Sequence, residues 1–395
     1  DNSTSETIKR FEGYLEVDPD NTLLRTQLGD LYHRAGRFED AKKTYQAALD
    51  NDADNPILRG RLAAVAISEH RFSEAETILR DLRDSEKGGE TGVLDHNLGV
   101  SLVYQKRWDE ALECFERARA SGATGLESQA YLTRTLHQKA DFSRAIEECK
   151  VWLALARSDD VEGYLALLEG DAGEDPVAAQ ARAHEVLARS PDNIDAGVVV
   201  GTEMLEKQKL AKSREMFEQL AERAPNNPRA WLGLGLTALM DMRHDDAIRY
   251  FRKTLELVPG HAGTLATLGW VYMTRHDALS AETIFREAVE SDRRLAEAHG
   301  GLASALVLQF RFDEAMQSIR RARGLDKRSF GAAYATSVMW ELKGKHEQAT
   351  ELFTRYLEVR PREDSMTAWE AVQIGLARHV RPEPNLGPPR PLVTK

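Results

Sequence analysis

The chain has 395 residues, of which 42% are hydrophobic, 30% charged and only 7% aromatic, and it carries a formal net charge of -11. That length accommodates two or three globular domains or one elongated repeat array, and a composition rich in Ala, Leu, Glu and Arg but poor in Val-, Ile- and Thr-rich runs favours amphipathic helices. The acidic balance argues against a general nucleic-acid binder, which needs clustered Lys and Arg.

Cys114 and Cys149 are too few for a disulfide framework and lack C-x-x-C spacing, so they are expected to be buried thiols. No apolar run approaches the roughly 18 residues of a membrane span, and no signal-peptide pattern is visible. The chain opens on Asp1 rather than Met, consistent with removal of an upstream segment.

In chain order, residues 1–21 place Phe11, Tyr14 and Pro19 where the second helix of a hairpin would have them, with its first helix missing. From Thr22 onward a period of 34 residues organises the chain. Pro191, Pro225 and Pro259 follow it, and Pro361 lies three further periods on. Ala41 and Ala75 are one period apart, Ala111 comes two residues late, and Ala145, Ala179, Ala247, Ala281, Ala315 and Ala349 resume the row, with Ser213 the exception. A two-residue insertion therefore falls in 84–91, around Lys87-Gly88-Gly89.

The residues at fixed offsets sharpen this. The unit beginning at Pro228 carries Trp231, Leu234, Gly235, Ala247, Phe251 and Pro259; the unit at Ala262 carries Leu268, Gly269, Tyr272, Ala281, Phe285 and Ala288; the unit at Thr22 carries Leu28, Gly29, Tyr32, Ala41, Tyr45 and Ala48. This pattern resembles the tetratricopeptide repeat, a helix-turn-helix unit in which small residues let two helices approach, an aromatic ring fills the gap, and proline ends the second helix. The expected fold is all-α: a right-handed superhelical solenoid of about ten such repeats over 22–363, starting at Thr22, Pro56, Gly92, Leu126, Asp160, Ile194, Pro228, Ala262, Ala296 and Phe330. The repeat over 160–193 is degenerate, with Gly170 to Pro176 in place of the short turn. Met366, Trp369, Val372, Ile374 and Leu376 give 364–380 the spacing of a capping helix, and five prolines make 381–395 an extended tail.

Chemistry is hard to find. Eleven histidines form no H-E-x-x-H or comparable cluster, and there is no phosphate-binding loop and no nucleophile turn. Glu174-Asp175 and Asp245-Asp246 fall in turns, where they are expected to cap helix starts or face solvent. Neither an enzymatic activity, a cofactor nor a metal site is expected. The basic run Arg320, Arg321, Arg323, Lys327 and Arg328 reads first as a solvated helix face and second as a contact for an acidic partner or a phosphate.

The resemblance implies that first-helix positions 2, 5, 9, 12 and 13 face a concave binding surface. Early repeats present a mixed set there, including Thr26, Asp30, His33, Arg34, Arg134, His137 and Gln138. From the seventh repeat the set turns apolar: Leu232, Leu236, Leu239, Met240, Trp270, Met273, Val307, Leu308, Tyr334 and Val338. Such a stripe suits the apolar side of an amphipathic helix or an extended peptide. Thr26, Asp30 and Ala64 exclude the family's carboxylate clamp from the start of the array, and Gln27, Arg61, Asn97, Tyr131, Leu165 and Val199 do not form an asparagine ladder.

The expected function is a non-catalytic scaffold or chaperone-like adaptor for another protein or peptide, with no nucleic acid and no membrane insertion. Two alternatives compete with it: a regulatory or targeting arm of a larger enzyme or membrane assembly, and a homo-oligomerisation module. The scarcity of cysteine favours the cytoplasm over a periplasmic or membrane-tethered location.

Overall fold

A computed structural model describes residues 2–85, 91–122, 125–357 and 391. Among them are 21 helices and no strand, and the contacts between helices separate two compact units that meet in sequence at Arg157 and Ser158. The segment expected as a capping helix, the expected tail apart from Pro391, and residues 86–90 of the insertion lie outside the described residues.

In the first unit α1 (Asn2–Val17) precedes four antiparallel hairpins: α2 (Thr22–Arg34) with α3 (Phe38–Leu49), α4 (Pro56–Ser68) with α5 (Phe72–Asp84), α6 (Thr91–Tyr104) with α7 (Trp108–Ala120), and α8 (Leu126–Gln138) with α9 (Phe142–Ala156). The second unit holds six: α10 (Asp159–Ala172) with α11 (Pro176–Arg189), α12 (Ile194–Glu206) with α13 (Leu210–Arg223), and α14 (Pro228–Met240) with α15 (His244–Leu257). It continues with α16 (Ala262–Thr274) and α17 (Ala278–Ser291), α18 (Ala296–Leu308) and α19 (Phe312–Leu325), and α20 (Phe330–Leu342) and α21 (His346–Leu357).

Local chemistry sets these boundaries. Asn21, Asn55, Asn193 and Asn227 each accept a backbone N–H of the first turn they precede, satisfying donors that the helix leaves orphaned. Pro56 and Pro228 then occupy first-turn positions, where a missing N–H costs nothing. The link to each second helix turns sharply through one residue in the left-handed region, at Gly36, His70, Lys106, Ala140, Gly173, Gln208, Met242, His276, Phe310 and Gly344. Pro191, Pro225 and Pro259 come two residues after α11, α13 and α15 end.

Among the described residues, five of the ten hairpins close on an aromatic ring, while Leu79, Cys149, Ala183 and Ile319 hold the same place in others. Tyr45, Phe115, Phe217, Phe251 and Phe285 are essentially buried, and each lies over a first-helix glycine. A Cβ at Gly29 would sit 2.4 Å from the Tyr45 ring, and one at Gly235 would sit 2.5 Å from the Phe251 ring. The glycine is therefore a hole cut for the ring, and each buried ring contributes about 1.5–3 kcal/mol from apolar area alone. Ser213, the exception in the alanine row, is fully buried, and its Oγ bonds the Gly201 carbonyl at 3.0 Å and the Thr237 hydroxyl at 3.2 Å. A serine fits an alanine site because both its polar needs are met. The Gly170 to Pro176 turn lies inside the second unit: Gly173 ends α10 in the left-handed conformation, and the Asp175 carboxylate caps α11.

Candidate partner-binding site

The sequence suggested an open apolar stripe on the late first helices, and the structure corrects that accessibility. Leu232, Leu236 and Leu239 are 4%, 4% and 1% exposed, packed with Leu205, Phe251, Leu268 and Val271, and Met240 lies against the same cluster. Trp270, Met273 and Val307 are buried in a second cluster with Phe330, on which Tyr334 and Val338 rest half-buried. Of the ten stripe residues only Leu308 is exposed. The cause is close packing of neighbouring first helices. At the α18–α20 contact a Cβ on Gly300 would meet the backbone nitrogen of Ala332 at 2.7 Å. Trp270 spans two repeats, with its ring 5.4 Å from Phe330 and 5.6 Å from Tyr334. Helix faces brought together so tightly cover one another's side chains.

One opening in the second unit is a cleft of about 80 Å³ across the first helices α10, α12 and α14. Leu167, Val198, Val199, Leu205, Leu232 and Leu236 line its apolar part, so two of the ten stripe residues reach it. Its charged groups come from the same helices. Arg229 donates from Nη1 to Asp171 Oδ1 at 2.9 Å, across 58 residues of sequence, and both side chains are more than nine-tenths buried. Burial works against the Arg229 charge, but the coulombic pull and hydrogen bonds of Asp171 outweigh it and hold the guanidinium pKa above its ordinary value. This pair staples α14 to α10 and closes one side of the cleft.

Glu203 and Glu206 supply the other polar side. Glu203 is 9% exposed and accepts from His184 Nε2 at 2.7 Å and Lys207 Nζ at 2.5 Å. Burial alone would raise its pKa; the bonds from Lys207 and His184 reverse that and hold the carboxyl below the usual glutamate value. The cleft thus joins an apolar floor to an anionic edge. Sequence reasoning found Leu232 and Leu236 but missed Asp171, Glu203 and Arg229. The signal was present as charged residues on mostly apolar first helices, where a polar group in the core needs a partner from another repeat.

Elsewhere the described residues hold no group of three or more metal-ligating side chains, and none of their helices is long and apolar enough to cross a membrane. Cys114 and Cys149 are buried and in no disulfide, and burial pushes the Cys114 thiol up to about 11. Asp245 and Asp246 stand in the first turn of α15, where Asp245 pairs with Arg275 and Asp246 with Arg243 and Arg249.

Stacked helical hairpins closed by ring-in-hole packing define a helical repeat solenoid. The chain belongs to the tetratricopeptide repeat family: two sequence profiles with that description match it, one over 96–160, 201–262 and 267–330, the other over 1–56 and 34–90. It is similar to anaphase-promoting complex subunit 3 of Schizosaccharomyces pombe, at 21% identity over 325 residues covering 70% of this chain and 49% of that protein. The chain thus spans about half the length of this curated relative. Among solved structures, the human IFIT1 dimer with m7Gppp-AAAA aligns with a TM-score of 0.54 and 16% identity, covering 85% of this chain and 89% of that one. The yeast Tom70 crystal structure covers 95% of this chain and 92% of its own at 15% identity, with a TM-score of 0.41. At these identities the structural likeness concerns the fold.

Proposed function

We propose that the protein is a non-catalytic scaffold that holds a segment of a partner protein in the cleft over α10, α12 and α14. The observation that carries this is the pairing of an apolar floor containing Leu232 and Leu236 with the anionic edge of Glu203 and Glu206. That combination suits an amphipathic segment that inserts an apolar side chain and sets a Lys or Arg near Glu206 and Glu203, where it would share the Glu203 carboxylate with Lys207 and His184. Of the remaining stripe residues, Leu239 and Met240 pack in the cluster that supports Leu232 and Leu236, whereas Trp270, Met273, Val307, Tyr334 and Val338 belong to the neighbouring core and Leu308 is exposed.

The test uses the full chain and peptides selected on it from a display library. Thr202 and Gln180 line the cleft without belonging to its buried core, so Thr202→Trp and Gln180→Arg fill it while leaving the core intact. Selected peptides should carry apolar and basic residues together and lose about tenfold or more in affinity for Thr202→Trp, about 1.4 kcal/mol. Peptides that bind both variants as well as the parent protein would place the binding surface elsewhere.

A second reading, one arm of a larger assembly, is favoured by the match to about half of a protein whose name makes it a subunit of a complex. Under it the chain should elute from its native source at several times its own mass of 44.3 kDa. A native mass equal to the monomer counts against it.

A further inference from the structure

We infer that two adjacent turns of the second unit form a separate docking site for an acidic, Asp- and Glu-rich segment of a partner protein. The turn Asp292-Arg293-Arg294-Leu295 leads into α18, and Asp326-Lys327-Arg328-Ser329 leads into α20. Both are built alike: Asp292 accepts the Arg294 N–H at 2.8 Å, and Asp326 accepts the Arg328 N–H at 2.8 Å. Glu297 on α18 reaches across to accept the N–H groups of Phe330 at 2.8 Å and Gly331 at 2.9 Å, which fixes the start of α20 beside the start of α18. Arg320 and Arg321, in the last turns of α19, stand next to the second of these turns.

Two observations separate these cations from an ordinary solvated face. First, one period earlier the places of Arg293 and Arg294 hold Pro259 and Gly260, and two periods earlier Pro225 and Asn226. The helix-stopping proline of the repeat is given up in two successive hairpins, for Arg293 and then for Lys327. Secondly, Arg293, Arg294, Arg320, Arg321, Lys327 and Arg328 are all exposed, and none of their side chains makes a hydrogen bond or ion pair, whereas every other arginine side chain described in this unit donates to a carboxylate or a hydroxyl. In a chain of net charge -11, with acidic side chains in excess, six cations whose side chains form no ion pair make a surface complementary to an anion from outside.

The chemistry favours spaced carboxylates over a nucleic acid. Asp292 and Asp326 sit within the cluster and Glu290 beside it, so negative charge is interleaved with positive. A peptide can place its carboxylates on the guanidinium forks and pass over the aspartates, while a phosphate backbone brings a charge at every step and is repelled between them.

The experiment measures fluorescence anisotropy of a labelled alternating Glu-Ser peptide on the full chain, with its Gln-Ser analogue and a labelled oligouridylate alongside. The Glu-Ser peptide should bind, weaken as salt rises, and lose about tenfold or more in affinity with Arg293→Glu/Arg294→Glu and again with Lys327→Glu/Arg328→Glu. Arg252→Glu, on α15 of the same unit, should leave it unchanged. Circular dichroism of each variant checks that these exposed substitutions keep the helices, and single Arg→Gln variants repeat the test without reversing charge. Equal binding of the Gln-Ser peptide, tighter binding of the oligouridylate, or equal losses with Arg252→Glu would each overturn the proposal. Because none of these residues lines the cleft, Thr202→Trp should not alter the peptide's affinity, so the two sites fail or succeed separately.

Discussion

In α6 and α8 of the first unit the buried positions carry imidazole, amide, carboxylate and hydroxyl groups: Asp95, His96, Asn97, Ser128, Gln129 and His137 are each at most 5% exposed. The corresponding interior of α14 and α18 in the second unit is Leu, Ala, Val and Gly, and its buried hydroxyls mostly bond the carbonyl four residues back, as Thr237 does to Gly233 and Ser304 to Gly300. Both interiors sit on the same hairpin. A polar interior must be satisfied bond by bond, as with His96 Nδ1 and Ser128 Oγ at 2.6 Å or Arg117 and Asp95 at 2.9 Å. An apolar interior must be matched in shape, down to the backbone contact of Gly300 with Gly331. The second unit departs from its own rule at Asp171, Glu203 and Arg229, and these residues border the cleft. The repeat grid thus constrains the backbone and leaves the inward first-helix positions free to vary.

The sharpest way to break this comparison is to orphan the charge in the apolar unit. Asp171→Ala leaves Arg229 buried and unpaired and should cost about 3–5 kcal/mol in urea unfolding, whereas Asp171→Leu with Arg229→Met should cost much less. Equal losses would mean that the pair is solvated rather than buried. Shape comes next. A Cβ at Gly331 would lie 2.6 Å from the Gly300 carbonyl carbon, so Gly331→Ala should force α18 and α20 apart and cost up to about 3 kcal/mol. In the first unit Gly60 has nothing within 4 Å of such an atom, and Gly60→Ala should instead gain about 0.5–1 kcal/mol.

The polar interior is probed by Ser128→Ala, which removes a partner of the fully buried His96 and should lose about 2 kcal/mol, seen as earlier melting of the first unit alone. A neutral result would show that this interior tolerates unsatisfied groups as an apolar one tolerates a methyl.

Acid should act on both units alike. Burial pushes up the carboxyls of Glu76 and Glu282, but Arg80, Gln105 and Arg107 around the first, and Gln309, Arg286 and Arg311 around the second, outweigh it and hold both below 4.5. A depressed carboxylate contributes stability that is present above its unfolded value and lost as pH falls through its folded one, so both units should weaken below about pH 4.5. Glu76→Gln and Glu282→Gln should each flatten that loss by about 1 kcal/mol, the partly exposed arginines limiting the effect. The smallest expected effect is at the left-handed turns: Ala140→Gly in the first unit and Phe310→Gly in the second relieve backbone φ angles of 62° and 59°, for a gain of about 0.5–1 kcal/mol each in thermal unfolding.

The helical repeat was legible in the sequence because its causes are local and recur. Asparagine and proline at first-helix starts, proline after second helices, and the glycine and aromatic pair of half the hairpins act within one period. The candidate site was only half legible. Leu232 and Leu236 stood out as apolar residues, but nothing local showed that Leu239, Trp270 and Val307 would be covered by the next hairpins rather than by a partner. The basic run at Arg320 to Arg328 was visible as a sequence, yet its continuation into Arg293 and Arg294 required the neighbouring turn.

By itself the sequence determined the period, the hairpin, the residues that close each ring into its hole, and the acidic charge of the whole. These follow from capping, helix termination and side-chain volume, which act over a few residues. Only the tertiary structure decided which first-helix residues stay accessible, that Asp171 meets Arg229 across 58 residues, and that two basic turns lie side by side with their cationic side chains unpaired. Those outcomes depend on how closely successive hairpins pack, a sum over many contacts that no single repeat contains.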